Sequence, residues 1–211
     1  MINHINKFIF LHIPKTGGMS IGQTLYNLMG VTKKYDGFRI HHDEFNEDIF
    51  RDYFVFTFVR NPWDRLYSQY KFRPFLKEHN FEYAVNNLED LFEQELGGIP
   101  DSAKYTLNTP IQTVSDGSGE FIHLASQVEF LQGKFSQNVD RLPFINFIGR
   151  FENLQEDFNY VCSKIGIPQT QLLHMNRGNS STPYKDIYNK ELVEKTRKKF
   201  SDDISYFNYE F

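Results

Sequence analysis

The sequence predicts an α/β protein with a central parallel β-sheet flanked by helices. Three short apolar runs, at residues 8–13, 53–59 and 144–149, contain almost no polar alternation, which is typical of strands covered on both faces. Each run is followed by a segment with apolar residues at helical spacing. Three successive strand-then-helix units favour parallel strands with helices on both faces of the sheet.

Length and composition limit the class of protein. The 211 residues are enough for one domain with a substantial core, so a single domain over residues 1–211 is expected. A net charge of −4 argues against a broad face for nucleic acid or another polyanion, and the expected anionic ligand is small. Cys162 is the only cysteine, which excludes an intrachain disulfide and argues against a structural zinc cluster.

The amino-terminal residues do not have the pattern of a secretory signal. The first apolar run is also far too short to span a bilayer. A cytoplasmic protein without a membrane span is therefore expected.

The first apolar run leads into a loop rich in glycine, hydroxyl groups and charge, here called the anion loop (residues 13–20). Gly17 and Gly18 allow the backbone to turn sharply and to approach a ligand closely. A helix is predicted from Gly18 to Met29, and the amides at its start have no partners within the helix, so they favour an anion. A charge and two hydroxyl groups are added by Lys15, Thr16 and Ser20.

The order of residues in the anion loop differs from that of nucleotide triphosphatases. Their phosphate loop, G-x-x-x-x-G-K-[ST], has the lysine after the glycines, and its hydroxyl residue binds magnesium. Here Lys15 and Thr16 precede Gly17 and Gly18, and neither later strand ends in an aspartate that could hold a metal. A kinase or triphosphatase is therefore disfavoured.

The second apolar run ends at Arg60, ahead of another predicted helix. Asn61 suits the cap of that helix, and Pro62 suits its first turn, where the missing N–H is not needed. Arg60 and Ser68 could both reach a ligand at the edge of the sheet. Three aromatic residues of the helix are predicted to be core rather than ligand contacts: Trp63, Tyr67 and Tyr70.

The rest of the chain predicts further helices and two polar loops. Helices are expected over residues 81–96 and near residues 124–131, with an irregular, acceptor-facing stretch at residues 101–119 between them. The third apolar run is followed by a helix that ends near residue 165. A polar loop at residues 176–185 precedes a final amphipathic helix.

Three motifs together resemble the carbohydrate sulfotransferase superfamily, in particular its short bacterial members. They are Ile13-Pro14-Lys15-Thr16-Gly17-Gly18-Met19-Ser20, Phe58-Val59-Arg60-Asn61-Pro62-Trp63-Asp64-Arg65-Leu66-Tyr67-Ser68 and Ile148-Gly149-Arg150-Phe151-Glu152-Asn153-Leu154. The resemblance implies a P-loop-like three-layer sandwich. It also implies an enzyme that moves a sulfuryl group from 3′-phosphoadenosine 5′-phosphosulfate (PAPS) to a hydroxyl acceptor, expected to be a carbohydrate, without a metal.

The resemblance also implies roles for individual residues. Lys15, helped by the loop amides and Thr16, is expected to stabilise charge on the departing phosphate oxygen. Arg60 and Ser68 are expected to hold the 3′-phosphate, which an arginine can do with two parallel hydrogen bonds. The full set expected to bind the nucleotide is Lys15, Thr16, Gly17, Gly18, Met19, Ser20, Arg60, Ser68, Arg177, Tyr184 and Lys185.

The acceptor hydroxyl needs a base, and His41 and His42 are the leading candidates. Histidine titrates near neutral pH, and similar enzymes place one just before the second strand. If the segment is extended, adjacent side chains face opposite ways, so only one of the two can point into the cleft. His41 is the preferred candidate, and Asp64 and Glu152 are weaker alternatives.

Two other functions remain open at this point. One is a nucleotide-binding module that has lost turnover and acts as a sensor or scaffold. The other is a small-molecule kinase, which would need a magnesium-binding carboxylate that the sequence does not place.

Overall fold

The computed structural model describes residues 1–29, 47–95, 125–132, 141–173 and 182–211. In chain order, the strands and α-helices of these residues are β1 (Ile2–Asn3), β2 (Phe8–Leu11), α1 (Gly18–Leu28), α2 (Glu47–Asp52), β3 (Phe54–Val59), α3 (Pro62–Phe72), α4 (Pro74–Lys77), α5 (Phe81–Asn86), α6 (Leu88–Glu95), α7 (Gln127–Leu131), β4 (Phe147–Arg150), α8 (Leu154–Ile165), α9 (Lys190–Lys199) and α10 (Ser201–Phe207). Within these residues, no helix has the length and apolar character needed to cross a membrane.

The sheet has the strand order β1-β2-β3-β4, and helices flank it. Strands β2, β3 and β4 are parallel, so the predicted α/β class and its parallel strands are confirmed. The sheet is nevertheless mixed, because β1 pairs with β2 in the antiparallel direction. A two-residue strand has no periodic pattern of its own, which is why the sequence did not indicate β1.

The described residues fall into two compact units. The first unit comprises Met1–Arg60 and Val139–Arg177, and the second comprises Asn61–Asn138 and Gly178–Phe211. The first contains the whole sheet with α1, α2 and α8, whereas the second is helical. The single domain expected from the sequence remains a prediction.

Phenylalanines of the sheet form the core of the first unit. Phe8 and Phe10 of β2 pack with Phe56 and Phe58 of β3 and with apolar residues of α1 and α8. All four rings are fully buried, and the rings of Phe10 and Phe56 stack with centroids 5.1 Å apart. Burial of each such ring contributes about 1.5–3 kcal/mol, so β2 and β3 give the first unit a stable centre.

The start of α3 in the second unit agrees with the sequence prediction. The side chain of Asn61 accepts a hydrogen bond from the amide of Trp63 at 3.1 Å, and Pro62 is the first helical residue. Trp63 and Tyr67 are buried and Tyr70 packs against the core, as predicted.

The helix predicted over residues 81–96 is instead two helices, α5 and α6, separated at Asn87. The Asn87 side chain donates to the Tyr83 carbonyl at 2.9 Å, and its backbone amide donates to the same oxygen at 3.0 Å. The backbone bond is the usual one of an α-helix, whereas the side-chain bond to the same oxygen competes with a continuing helix. The apolar residues of the predicted pattern that the structure describes are buried in one core, to which α5 and α6 both contribute, and Leu96 lies outside the described residues.

A buried carboxylate anchors α10 within the second unit. Asp203 is fully buried and accepts hydrogen bonds from the Val128 amide at 2.9 Å and the Gln127 side chain at 3.2 Å. Burial raises the pKa of the Asp203 carboxyl, and the charge of Arg65 on α3 opposes that rise. Arg65 is itself buried and donates to the Ala125 carbonyl at 2.9 Å.

Candidate functional site

The carboxyl ends of three parallel strands define the candidate site in the first unit. Leu11 of β2 pairs with Thr57 of β3, and Val59 of β3 pairs with Arg150 of β4, so the strands end at the same edge. The anion loop follows β2 and Arg60 follows β3. Ligands of open α/β sheets bind outside the carboxyl ends of the strands, so this edge is the candidate ligand site.

The backbone of the anion loop is left-handed at two positions. Lys15 has a φ of 70° and Gly17, the cap of α1, has a φ of 86°. The left-handed conformation costs a residue with a side chain about 1–2 kcal/mol, and strain of this kind is concentrated at ligand sites. A strained lysine in this turn therefore supports a functional role for the loop.

The anion loop leads directly into α1. The amides of Ser20 and Ile21 donate to the Gly17 carbonyl at 3.0 and 3.2 Å, which forms the first turn. The amides ahead of Ser20 lie where a helix has no acceptor for them. These amides and the positive end of the helix dipole together form a binding place for an anion.

The side chains of the anion loop differ in their roles. Thr16 is fully buried, and its hydroxyl donates to the Ile13 carbonyl at 2.8 Å, so this side chain holds the turn together. Lys15 and Ser20 are half-buried and Met19 is exposed. Thr16 and Ser20 are the two predicted hydroxyl ligands, and the hydroxyl hydrogen of Thr16 is already used in a hydrogen bond within the loop.

Both glycines of the anion loop lie against side chains. A Cβ on Gly17 would lie 3.0 Å from Leu154 and 3.2 Å from Phe151. A Cβ on Gly18 would lie 2.5 Å from Cγ of His12 and closer still to two other atoms of that ring. Each glycine therefore leaves room for a neighbouring side chain.

Arg60 lies beside the anion loop. Its Nη1 donates to the Lys15 carbonyl at 3.1 Å, and its guanidinium carbon lies 3.8 Å from the centroid of the Phe151 ring. Stacking on an aromatic face orients a guanidinium and adds a cation–π attraction. The structure therefore brings together Lys15 and Arg60, the two cations that the sequence predicted for a donor site.

Three residues next to the anion loop were missed by sequence reasoning. They are His12, which faces Gly18, and Phe151 and Leu154, which cover Gly17. His12 had a weak signal, as a polar residue directly after a fully apolar strand. Phe151 and Leu154 belong to the third motif of the resemblance, but nothing in the sequence predicted that they pack against the loop.

The other predicted nucleotide contacts that the structure describes lie in the second unit. Ser68 is half-buried on α3. Tyr184 packs edge-to-face against Tyr188 and Phe211, with centroid distances of 6.4 and 5.8 Å. Lys185 is exposed, with its ammonium 5.6 Å from the centroid of the Phe211 ring. Their roles remain predictions.

Several predicted residues lie outside the described part of the chain. They are the two candidate bases, His41 and His42, and the nucleotide contact Arg177. The acceptor-facing stretch predicted at residues 101–119 is also outside it. Among the residues that are described, no group of three or more His, Cys, Asp or Glu side chains could hold a metal ion.

The fold and the site define a class of protein. A glycine-bearing loop that leads from a parallel strand into the amino terminus of a helix, at the carboxyl edge of the sheet, is typical of α/β proteins that bind phosphate-like anions. The sequence matches the sulfotransferase family over residues 1–210, and the chain therefore belongs to that family of transferases. The predicted sulfotransferase membership is thus confirmed. Searches among curated proteins and among solved structures found no match.

Proposed function

We propose that this sulfotransferase takes its sulfuryl group from PAPS and transfers it to a hydroxyl of a carbohydrate. The observation that carries the proposal is the contact between Arg60 and the anion loop, in which the guanidinium donates to the Lys15 carbonyl at 3.1 Å. This contact joins two cationic residues, Lys15 and Arg60, at the loop that leads into α1, although the chain as a whole is acidic. This local positive charge suits a donor that carries several anionic groups.

The two ends of the donor match different parts of the candidate site. The amides at the start of α1 suit the 5′-phosphosulfate, since helix amino termini favour anions. Arg60 suits the 3′-phosphate, because a planar guanidinium donates two parallel hydrogen bonds to a phosphate and Phe151 fixes its plane. Ser68, Arg177, Tyr184 and Lys185 are further proposed contacts of the nucleotide, on the basis of the resemblance.

Transfer breaks the bond between the sulfur and the phosphate oxygen of the donor and forms a bond between the sulfur and the acceptor oxygen. Lys15 stabilises the negative charge that develops on the phosphate oxygen, since donors placed at a developing charge are often the largest catalytic contribution. Either His41 or His42 takes the proton of the acceptor hydroxyl. No metal is assigned a role in this scheme.

Transfer of labelled sulfuryl groups from PAPS to a panel of sugars, glycans and simple alcohols tests the proposal. Lys15→Ala is compared with Lys7→Ala, because Lys7 is also a lysine in the left-handed conformation, with a φ of 48°, but precedes β2 instead of following it. We expect labelled product with the wild type and Lys7→Ala, and a loss of about 100-fold or more with Lys15→Ala, as for other donors to developing charge.

Two outcomes would contradict the proposal. Equal rates for Lys15→Ala and Lys7→Ala would remove Lys15 from the mechanism. A wild-type protein that binds the nucleotide but labels no acceptor would favour the alternative of an inactive nucleotide-binding module.

A further inference from the structure

We propose that His12 is a positioning residue for donor binding, because its imidazole ring supports the first turn of α1 and thereby fixes the anion loop. The inference rests on the proposed function, since it concerns how the same loop is held ready for the donor. His12 does not need to touch the donor for this role. It acts through Gly18, the first residue of α1.

The contact between His12 and Gly18 is close along one edge of the ring. A Cβ added to Gly18 would overlap Cδ2 and Nε2 of His12 and would lie 2.5 Å from Cγ. His12 therefore occupies the space that a side chain at the start of α1 would need. The three atoms nearest to this missing Cβ among the described residues all belong to the His12 ring, so the ring alone accounts for the overlap.

The His12 ring is also held by the core. Its ring stacks on Phe10 of β2, with centroids 5.8 Å apart and planes 15° apart. Phe10 in turn stacks on Phe56 of β3 at 5.1 Å and 13°. Three nearly parallel rings therefore run from the centre of the sheet to the amino terminus of α1, and His12, only 7 % exposed, is the last of them.

Position 18 requires glycine because of the contact with His12 and not because of its backbone conformation. Gly17 has a positive φ and is strained by any side chain, but Gly18 is not among the described residues with a positive φ. An alanine is a good residue at the start of a helix when space allows. The ring of His12 is therefore the obstacle to a side chain at position 18.

Loss of the ring would leave a space under the first turn of α1. The amides of that turn could then shift, and stabilisation of an anion depends on donors that are already in position. A shift of about 1 Å in a positioned group can cost up to about 100-fold in an enzyme, so the effect on donor affinity is expected to be measurable.

The experiment measures the dissociation constant of 3′-phosphoadenosine 5′-phosphate by calorimetry, well below the melting temperature of each protein. The variants are His12→Ala, Gly18→Ala and the double variant His12→Ala/Gly18→Ala. Val161→Ala is the control, because Val161 is a fully buried residue of α8 in the same core but is not part of the anion loop. Melting temperatures are recorded for all variants.

We expect His12→Ala to weaken nucleotide affinity by about 10-fold or more, as for misplaced binding groups. Gly18→Ala should weaken it further, and the double variant should bind more tightly than Gly18→Ala alone because the overlap is gone. Val161→Ala should lower the melting temperature and leave the affinity unchanged. A merely structural role for His12 would change the melting temperature alone.

The inference is overturned if His12→Ala binds the nucleotide as the wild type does, or if the double variant is no better than Gly18→Ala. If Gly18→Ala does not fold, the comparison of His12→Ala with Val161→Ala decides by itself. A wild type that does not bind the nucleotide would contradict the proposed function as well, which separates the two failures.

Discussion

Replacement of Gly17 by alanine tests the packing around the anion loop. Gly17 has a φ of 86°, and its new Cβ would lie 3.0 Å from Leu154 and 3.2 Å from Phe151. The left-handed conformation costs a side chain about 1–2 kcal/mol, and crowding in a packed region costs about 1–3 kcal/mol more. Gly17→Ala should therefore lower the free energy of unfolding by about 2–5 kcal/mol.

The chain provides a matched control for the backbone part of this loss. Gly166, the cap at the end of α8, has a φ of 71°, but a Cβ there would meet nothing within 4 Å. Gly166→Ala should therefore cost only about 1–2 kcal/mol. Urea unfolding of both variants, with free energies from linear extrapolation, gives the comparison.

The difference in unfolding free energy between the two variants measures the crowding of Gly17 by Leu154 and Phe151. Gly17→Ala should therefore cost less unfolding free energy when Leu154 is already alanine than in the wild type, because Leu154 provides the closest atom. Equal losses for Gly17→Ala and Gly166→Ala would refute the reasoning, since the packing of Leu154 and Phe151 on the loop would then have no energetic consequence.

Two further predictions concern a ligand contact and a buried acid. Arg60→Gln should weaken binding of 3′-phosphoadenosine 5′-phosphate by about 10- to 150-fold, because it removes charge-assisted hydrogen bonds that contribute about 1.5–3 kcal/mol. Binding of adenosine 5′-phosphate should be weakened less, since this nucleotide has no 3′-phosphate. Calorimetry with both nucleotides checks this, and equal weakening would contradict it. Because burial raises the folded-state pKa of Asp203 above its unfolded value, its contribution to stability is greatest at low pH and declines as pH rises through the folded-state pKa. The wild type should therefore have a higher unfolding free energy than Asp203→Asn, and this difference should be larger at about pH 4 than at neutral pH. Urea unfolding at both pH values measures the difference, and a larger difference at neutral pH would contradict the argument.

The sequence was informative where the chemistry is local. The apolar runs of β2 and β3 are buried strands, and the glycines after β2 do lie in a turn that starts a helix. The cap at Asn61 was predictable because a side chain bonds to an amide two residues away. Lys15 and Arg60 were predictable as a pair because each follows a parallel strand, and such strands end at one edge.

Contacts between residues that are far apart in the sequence could not be predicted. The stacking of Phe151 under Arg60 joins residues 91 positions apart, and only the register of β3 and β4 places them together. The role of Gly18 could not be separated from that of Gly17, because both read as flexible turn residues. The structure distinguishes a glycine with a positive φ from one that faces the His12 ring.

The break at Asn87 shows a different limit. The apolar spacing across residues 81–96 is consistent with one helix, and it predicted the buried face correctly over the described residues 81–95. The spacing does not register the hydrogen bond from the Asn87 side chain to the Tyr83 carbonyl, which competes with the helical pattern where α5 ends. Short-range polar bonds of this kind outweigh periodicity at the ends of helices.

The central claim is that the anion loop and Arg60 bind a nucleotide with a phosphate at the 3′ position. The most direct measurement is calorimetry of the wild type with 3′-phosphoadenosine 5′-phosphate, with adenosine 5′-phosphate as the matched ligand. We predict that the first nucleotide binds at least about 10-fold more tightly, since Arg60 adds charge-assisted hydrogen bonds to the extra phosphate. Equal affinity for the two nucleotides would contradict the claim.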